Sequence, residues 1–524
     1  MRNRIYIGVV FLGFIFPVLL FLFSCQRYHR NQSHANIPES SIRRGEALAQ
    51  MYCQGCHELP DPALLDAKSW EKGVLPQMGP RLGIFNYNFQ QYPSNRGDTN
   101  LRGYYPARPV VRLDEWQQIL DYYTATSPDS LPGQSRSRPI KSELTLFKAE
   151  MPSFRYDMPA TSLVRIDSLG GRPSLLLFDI HQETLYRLNA GLSPVDSLAV
   201  KGAIVDVVRQ GRGVMACNIG VLNPNNGKYG KMQSIFMGEM DKLMEGPELF
   251  NGLSRPVQLA AADLNQDGNM DYVVCEFGNL VGALSWLESN GKGQYERHVI
   301  KPVPGAIRAY VDDYNHDGRP DIWVLFAQGD EGIFRFTNEG NGKFREEQIL
   351  RFPPMYGSSY FEFDDFNKDG HPDILYTCGD NADFSPVLKP YHGIYIYMND
   401  GKDHFSQRWF FPIHGCYKAM ARDFDGDGDL DITAISFFAD YAHQPEEGFV
   451  YLENLGGWDF QPYSLPEGQL GKWLTMDVGD LDGDGRMDIV LGNFSFFTPV
   501  TARGVDFKKG PPFILLKNMG THTR

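Results

Sequence analysis

A small all-α unit followed by a large all-β ring of seven four-stranded blades is the fold this sequence predicts. Three observations predict it. Residues 41–128 carry two stripes of helical periodicity around a Cys-x-x-Cys-His pentapeptide. Downstream, five copies of one acidic nonapeptide recur, their starts 50, 52, 58 and 57 residues apart, and each copy runs into a β-branched or aromatic stretch. Two further units ahead of them, around Ile166-Asp167 and Val205-Asp206, keep the strand pattern and lack the acidic oxygens. Units of strand, turn, strand, long loop, strand, hairpin and strand are the blades of a β-propeller.

The chain opens with Arg2 and Arg4, an apolar run over residues 5–23, and then Ser24-Cys25. A basic start, an apolar segment and a small residue form a secretion signal. Its 19 apolar-run residues nearly suffice for an uncleaved membrane anchor, although Gly8, Gly13 and Pro17 weaken that reading. Leu22-Phe23-Ser24-Cys25 resembles the lipobox of bacterial lipoproteins. The resemblance implies that residues 1–24 are removed and that Cys25 becomes the lipidated first residue. Either way the rest of the chain is expected outside the cytoplasm on a membrane, with the outer membrane favoured, on its periplasmic or surface face. The formal charge of −14 argues against nucleic acid or anionic lipid as a partner.

Residues 25–40 are polar and read as a tether. A helix is expected from Ser41, with Ile42, Gly45, Leu48 or Ala49, and Tyr52 on one stripe, running into Cys53-Gln54-Gly55-Cys56-His57. This pentapeptide is the c-type haem attachment signature, and one covalent haem c is the expected cofactor. Each thiol adds to a porphyrin vinyl group, and the adjacent histidine is held beneath the iron as its proximal ligand. A stray Cys-x-x-Cys or half a zinc site would need a second Cys or His pair nearby, and residues 58–216 contain none. Met78, within Leu75-Pro76-Gln77-Met78-Gly79-Pro80, is the only methionine between the motif and the second helix. It is the expected sixth iron ligand, presented by a loop; the alternative is a methionine filling an apolar gap.

The second helix is expected to start at Asp114 as N-cap, with Gln117 completing a capping box. Its stripe is Leu113, Trp116, Ile119 or Leu120, and Tyr123, and it stops at Ser127-Pro128. The two helices resemble the first and last helices of class I cytochromes c, which cross at a glycine against an aromatic. Here that implies Gly45 against Tyr122 or Tyr123. Residues 84–111 read as an irregular loop over the haem edge, and residues 129–142 as a linker of Pro, Ser and basic residues.

In the repeats, positions 1, 3, 5, 7 and 9 are Asp263, Asn265, Asp267, Asn269 and Asp271; Asp313, Asn315, Asp317, Arg319 and Asp321; Asp365, Asn367, Asp369, His371 and Asp373; Asp423, Asp425, Asp427, Asp429 and Asp431; and Asp480, Asp482, Asp484, Arg486 and Asp488. Oxygens at 1, 3, 5 and 9, with the main-chain carbonyl at 7, suit a hard cation, and about five Ca²⁺ ions are expected. Glycine at position 6 permits the sharp turn. An EF-hand would place Glu at position 12, where Val274, Val324, Tyr376, Ala434 and Leu491 stand instead. A metal-free Asx-rich turn would not explain five copies of one oxygen spacing. The 18 aspartates of these loops account for much of the acidity.

The repeats resemble the FG-GAP or VCBS family, whose members form β-propellers, and residues 143–524 are assigned to that ring. Asn290, Asn338, Asn399, Asn454 and Asn518 are expected to open each third-to-fourth hairpin, with Tyr295, Phe344, Phe405 and Phe460 starting the fourth strands. The last unit stops at Asn518-Met519-Gly520, so Leu144-Thr145-Leu146-Phe147 is expected to supply its missing strand. Cys217, Cys275 and Cys378, at equivalent places in separate units, read as small core residues rather than disulfide partners.

The chain contains no nucleophile elbow, dinucleotide fingerprint or zinc-protease helix. As a whole it resembles bacterial VCBS-repeat lipoproteins with an N-terminal cytochrome c domain. The expected function is electron transfer by a membrane-anchored extracytoplasmic cytochrome whose propeller docks a redox partner protein or membrane complex. The long loops at 379–392, 437–447 and 494–512 are offered as the binding face. The alternatives are an adhesion or glycan-binding propeller with accessory haem, and a haem-linked sugar or alcohol oxidoreductase. The last lacks the tryptophan-rich blade pattern of quinoprotein dehydrogenases.

Overall fold

Apolar runs flanked by the acidic turns become the second strands of the blades, and these are buried along their whole length. In the computed structural model, which describes residues 28, 30–382, 384–496 and 505–520, the seven second strands run from Ser174–Asp179 to Asp488–Asn493. The leader, Cys25 and residues 497–504 of the last long loop lie outside the described residues. No helix among the described residues is long and apolar enough to cross a membrane.

Among the described residues the strands form seven antiparallel four-stranded sheets and one two-stranded ladder. The blades begin at Thr161–Asp167, Ile204–Gln210, Pro256–Ala262, Ala306–Asp312, Ser358–Asp364, Cys416–Arg422 and Trp473–Gly479, numbered here 1 to 7. Six blades are contiguous in sequence. Blade 7 takes its fourth strand from Phe147–Glu150, antiparallel to Phe513–Asn518 in the register Phe147 to Asn518 and Glu150 to Leu515. The strand thus starts at the last residue of the expected segment. Leu144 instead donates its N–H to Ser464 of blade 6. Phe147 packs its ring against Phe424 and Tyr451, at 5.6 and 5.5 Å.

Ahead of the ring, helix α1 (Glu39–Tyr52) buries Ile42, Gly45, Leu48 and Ala49. Helix α2 (Leu75–Arg81) follows a π-turn at Trp70–Val74, and helix α3 (Leu113–Thr126) completes the unit. Helices α1 and α3 cross at Gly45. A Cβ there would lie 1.9 Å from the Gln118 carbonyl oxygen and 2.8 Å from Tyr122 Cβ, so only glycine admits the crossing. Helix α3 is capped two residues earlier than expected. Arg112 is the N-cap, and Glu115 at N3, not Gln117, accepts its N–H at 3.2 Å. Leu113 consequently lies in the first turn on the outer side, 56% exposed, whereas Trp116, Ile119 and Tyr123 are buried as expected.

Neither residues 30–40 of the tether nor the linker hangs free. Asn31 donates through Nδ2 to the carbonyls of Thr124 and Ser127, at the end of α3 where helical carbonyls lack partners. Residues 129–142 are fastened along blades 5 and 6. Gln134 donates to His392 O at 2.8 Å, Arg136 pairs with Glu447, and Arg138 pairs with Asp459. Lysine and arginine stems with many donors make such a segment a strap rather than a spacer.

Candidate functional site

The Cys-x-x-Cys-His segment leaves α1 at its C-terminus. Cys53 caps the helix, its N–H donating to Ala49 O, and Cys56 N–H turns back to Cys53 O. Both thiols are free; Cys53 is half-buried and Cys56 exposed. Burial pushes the Cys53 thiol up to about 11, which keeps it protonated and slow to form a disulfide. His57 Nδ1 lies 2.7 Å from the carbonyl oxygen of Glu58. A carbonyl can only accept, so Nδ1 carries the proton and Nε2 keeps its lone pair. That second partner fixes tautomer and ring orientation in the way metal-bound histidines require. The residues therefore suit a covalently held haem.

Met78 lies on α2 rather than in a loop. The π-turn at Trp70–Val74 runs straight into α2, with Val74 itself in helical conformation, so the Pro-rich stretch continues a helix instead of preventing one. Met78, Cys53, Tyr52 and Leu59 pack against one cluster that includes Leu48, Trp70, Trp116 and Tyr123. The two sulfur-bearing residues thus share one core. Residues 84–111 contain the short ladder Asn86–Tyr87 with Gln90–Gln91 and a 3₁₀ turn at Thr99–Leu101, and Tyr92 receives the Trp116 indole N–H.

The five acidic loops join first to second strands, beginning one residue after the first strand and ending on the second strand's first residue. In each copy the carboxylate at position 1 accepts the main-chain N–H of position 6. These bonds run from Gly268 to Asp263, Gly318 to Asp313, Gly370 to Asp365, Gly428 to Asp423 and Gly485 to Asp480, all within 2.8–3.1 Å. The position 5 carboxylate accepts the N–H of position 7, as Asp267 does from Asn269 at 2.8 Å. The glycines take φ near +85°, as the turn demands. In blade 6 the carboxylates of Asp423, Asp425 and Asp427 converge within 4.8 Å, and in blade 7 those of Asp480, Asp482 and Asp488 do so. Such oxygen clusters could hold a hard cation.

Two position 7 side chains turn away from that role. Arg319 donates through Nε to Asn338 O at 2.8 Å and pairs with Asp317, and Arg486 likewise bonds Asn518 O and pairs with Asp484. A guanidinium has no lone pair to offer, so only the main-chain carbonyl at position 7 is available to a metal. The Asp429 side chain, also at position 7, pairs with Lys368 across to blade 5.

Position 9 carries a feature that the sequence pattern did not bring out. Asp321 accepts the N–H of Asn338, Asp373 that of Asn399, Asp431 that of Asn454 and Asp488 that of Asn518, at 2.8–2.9 Å. Each Asn then donates Nδ2 to the carbonyl of position 8 and accepts the N–H of a glycine two residues on. The asparagine therefore locks the acidic loop to the hairpin. Blade 3 differs: Ser289, not Asn290, bonds Asp271. The recurrence of Asn at the end of the third strand was the available signal.

The face bearing the second-to-third strand loops is partly covered. Tyr391 Oη donates to Leu64 O at 3.1 Å, Asn226 Nδ2 to Asp98 at 2.9 Å, and the Arg81 guanidinium lies 5.9 Å from the Phe384 ring. The helical unit is thus seated on one of the loops offered as a binding face, residues 379–392, and on the blade 2 loop at Asn226. Cys217, Cys275, Cys378 and Cys416 are buried and free.

The FG-GAP-like repeat family matches residues 263–324, 313–376 and 423–491, segments that contain all five acidic loops. The chain carries FG-GAP-like repeats in a seven-bladed β-propeller. It is 28% identical over 169 residues to the T-cell immunomodulatory protein homolog of Plasmodium falciparum, covering 28% of this chain and 22% of that protein. Among solved structures, the N-terminal domain of Nup159 is similar at TM-score 0.40 and 11% identity, covering 73% of this chain and 99% of its own. Saccharomyces cerevisiae Sqt1 is similar at TM-score 0.40 and 12% identity, covering 69% and 84%.

Proposed function

We propose that this chain is a c-type cytochrome that transfers electrons outside the cytoplasm. In this reading a lipid on Cys25 holds it to a membrane, and a calcium-braced propeller docks its redox partner. The observation that carries the reading is the end of α1, with two free thiols three residues apart and an imidazole whose Nδ1 is already engaged by Glu58. A bound haem supplies one-electron iron chemistry. Cys53 and Cys56 would hold its vinyl carbons as thioethers. His57 would present Nε2 to the metal, its ring kept from rotating by the Glu58 carbonyl, and Met78 would offer its thioether from α2. Trp70, Trp116 and Tyr123, all buried, exclude water from the side of the unit behind the motif. The acidic loops would take about five Ca²⁺ ions, stiffening the face opposite the helical unit.

The test is expression with a bacterial export signal and haem-attachment machinery, followed by a haem stain after denaturing electrophoresis. A haem band that survives denaturation in the wild type and disappears in the Cys53→Ala, Cys56→Ala double variant supports the reading. A wild-type chain exported intact without covalent haem overturns it. Met78→Leu should remove the weak sulfur-to-iron absorption of the oxidised protein and lower its reduction potential.

A further inference from the structure

We propose that the central channel of the propeller binds a small organic oxyanion, a carboxylate or a phosphate ester, on Arg308 and Lys418. The seven first strands surround a cavity of about 400 Å³, a volume suited to a small ligand. The third residue of each first strand lines it, among them Asp206, Gln258, Arg308, Tyr360, Lys418 and Thr475.

The acids in the channel are already engaged. Asp206 accepts from the Arg165 guanidinium at 2.8 Å and from Leu259 N–H at 3.1 Å, and Asp477 accepts from Ile166 N–H at 2.8 Å. Deeper in, Glu362 receives Ala421 N–H, the Tyr360 hydroxyl and Arg422. Gln258 is likewise occupied, by the main chain of Leu259 and Ala309.

The two cations are placed differently. Arg308 lies 5.2 Å from the centre of the Tyr360 ring and Lys418 4.8 Å from the same centre. Arg308 bonds the Tyr310 hydroxyl, and Lys418 donates to Met476 O at 2.7 Å. Among the described residues neither is within ion-pair distance of a carboxylate. Arg308 Nε and Thr475 Oγ1 are buried without a hydrogen-bond partner. Two like charges on one ring, with donor atoms left over beside them, need an acceptor that the chain does not supply. An oxyanion in the cavity that both cations line would satisfy those donors and relieve the repulsion. Burial pushes Lys418 down to about 8, with the charge of Asp477 opposing the shift and those of Arg308 and Arg165 adding to it. In a chain of formal charge −14, this concentration of cations is not a consequence of composition. The walls between them, including Val257 and Ile307, are apolar and suit the carbon skeleton of an organic acid. The proposal is independent of haem attachment.

The experiment is isothermal titration of the full exported chain, at constant calcium and ionic strength, with succinate, with glucose 6-phosphate and with chloride. Saturable binding of either oxyanion, absent for chloride and weakened at least tenfold by Arg308→Gln or Lys418→Met, supports the proposal, and the stronger probe identifies the headgroup. Thr475→Val, which removes a donor without changing charge, should weaken binding severalfold and provides the comparison if a charge variant fails to fold. Absence of saturable binding by both oxyanions, or equal affinity in the folded variants, overturns it.

Discussion

Asn518 Nδ2 donates to the carbonyl oxygen of Phe424, 2.7 Å away and one blade earlier in the ring. Asn338 makes the same connection to Leu264 O at 2.9 Å. Both carbonyls belong to position 2 of the preceding blade's acidic loop. The asparagine that joins loop to hairpin within one blade therefore also ties that blade to its neighbour.

Asn518→Ala and Asn338→Ala should each destabilise the ring by roughly 1–3 kcal/mol, the cost of leaving buried partners unsatisfied. Asn290→Ala should be close to neutral, because Ser289 makes the corresponding main-chain bond in blade 3. Urea unfolding distinguishes them; equal effects at 290 and 518 would show that the asparagine lock is not what matters.

Removing residues 143–150 should lower the melting temperature sharply and promote aggregation, since Phe513–Asn518 would become an open edge. The milder Phe147→Ala loses packing against Phe424 and Tyr451 and should cost roughly 3–5 kcal/mol. Differential scanning calorimetry and light scattering provide the readouts.

Gly45→Ala should separate α1 from α3, because the new methyl carbon meets main chain rather than a movable side-chain tip. Loss of helical signal at lower temperature, with the sheet transition unchanged, is the expected outcome by circular dichroism.

Chelation should lower the melting temperature of the ring, and calcium should restore it. An ion present at a hundred times its dissociation constant contributes about 2.7 kcal/mol per site. Equilibrium dialysis should approach five ions per chain. A melting curve insensitive to chelator would remove the cation from the loops.

His414 should contribute to acid sensitivity, beside the buried His392, whose imidazole burial also holds well below the usual value. His414 Nδ1 lies 3.0 Å from the buried Glu447 carboxylate, which Arg136 also holds, and burial together with Arg136 pushes the imidazole down to about 4. The unfolded histidine takes its proton near pH 6.5, so stability from the neutral ring is complete above that value and lost as pH falls towards 4. His414→Gln should flatten urea stability across that window; an unchanged slope between pH 4 and 6.5 would assign the sensitivity to other groups.

Much of the ring was legible before any coordinates. The acidic loops, the strands that follow them and the short last unit are local patterns, set by periodicity and by turn chemistry within about nine residues. Gly45 was legible only through the resemblance of the two helices to those of class I cytochromes c, which cross at a glycine. The helix at Met78 was not legible because Pro76 and Pro80 read as loop signals, whereas the chain carries its helix through them by way of the π-turn at Trp70–Val74. The engagement of residues 30–40 and 129–142 was missed because their partners are distant in sequence. Asn31 bonds a carbonyl 93 residues away, and Gln134 one that is 258 residues away.

Sequence alone determined the blades, their oxygen spacing and the Cys-x-x-Cys-His segment, because each depends on residues close together in the chain. Only the tertiary structure decided three further features: that the asparagines bind blade to blade, that the helical unit is seated on the loop at 379–392, and that Arg308 and Lys418 both approach the Tyr360 ring in the channel. These depend on which first strands become neighbours when the ring closes, and closure places side chains from separate blades at distances that no local pattern encodes.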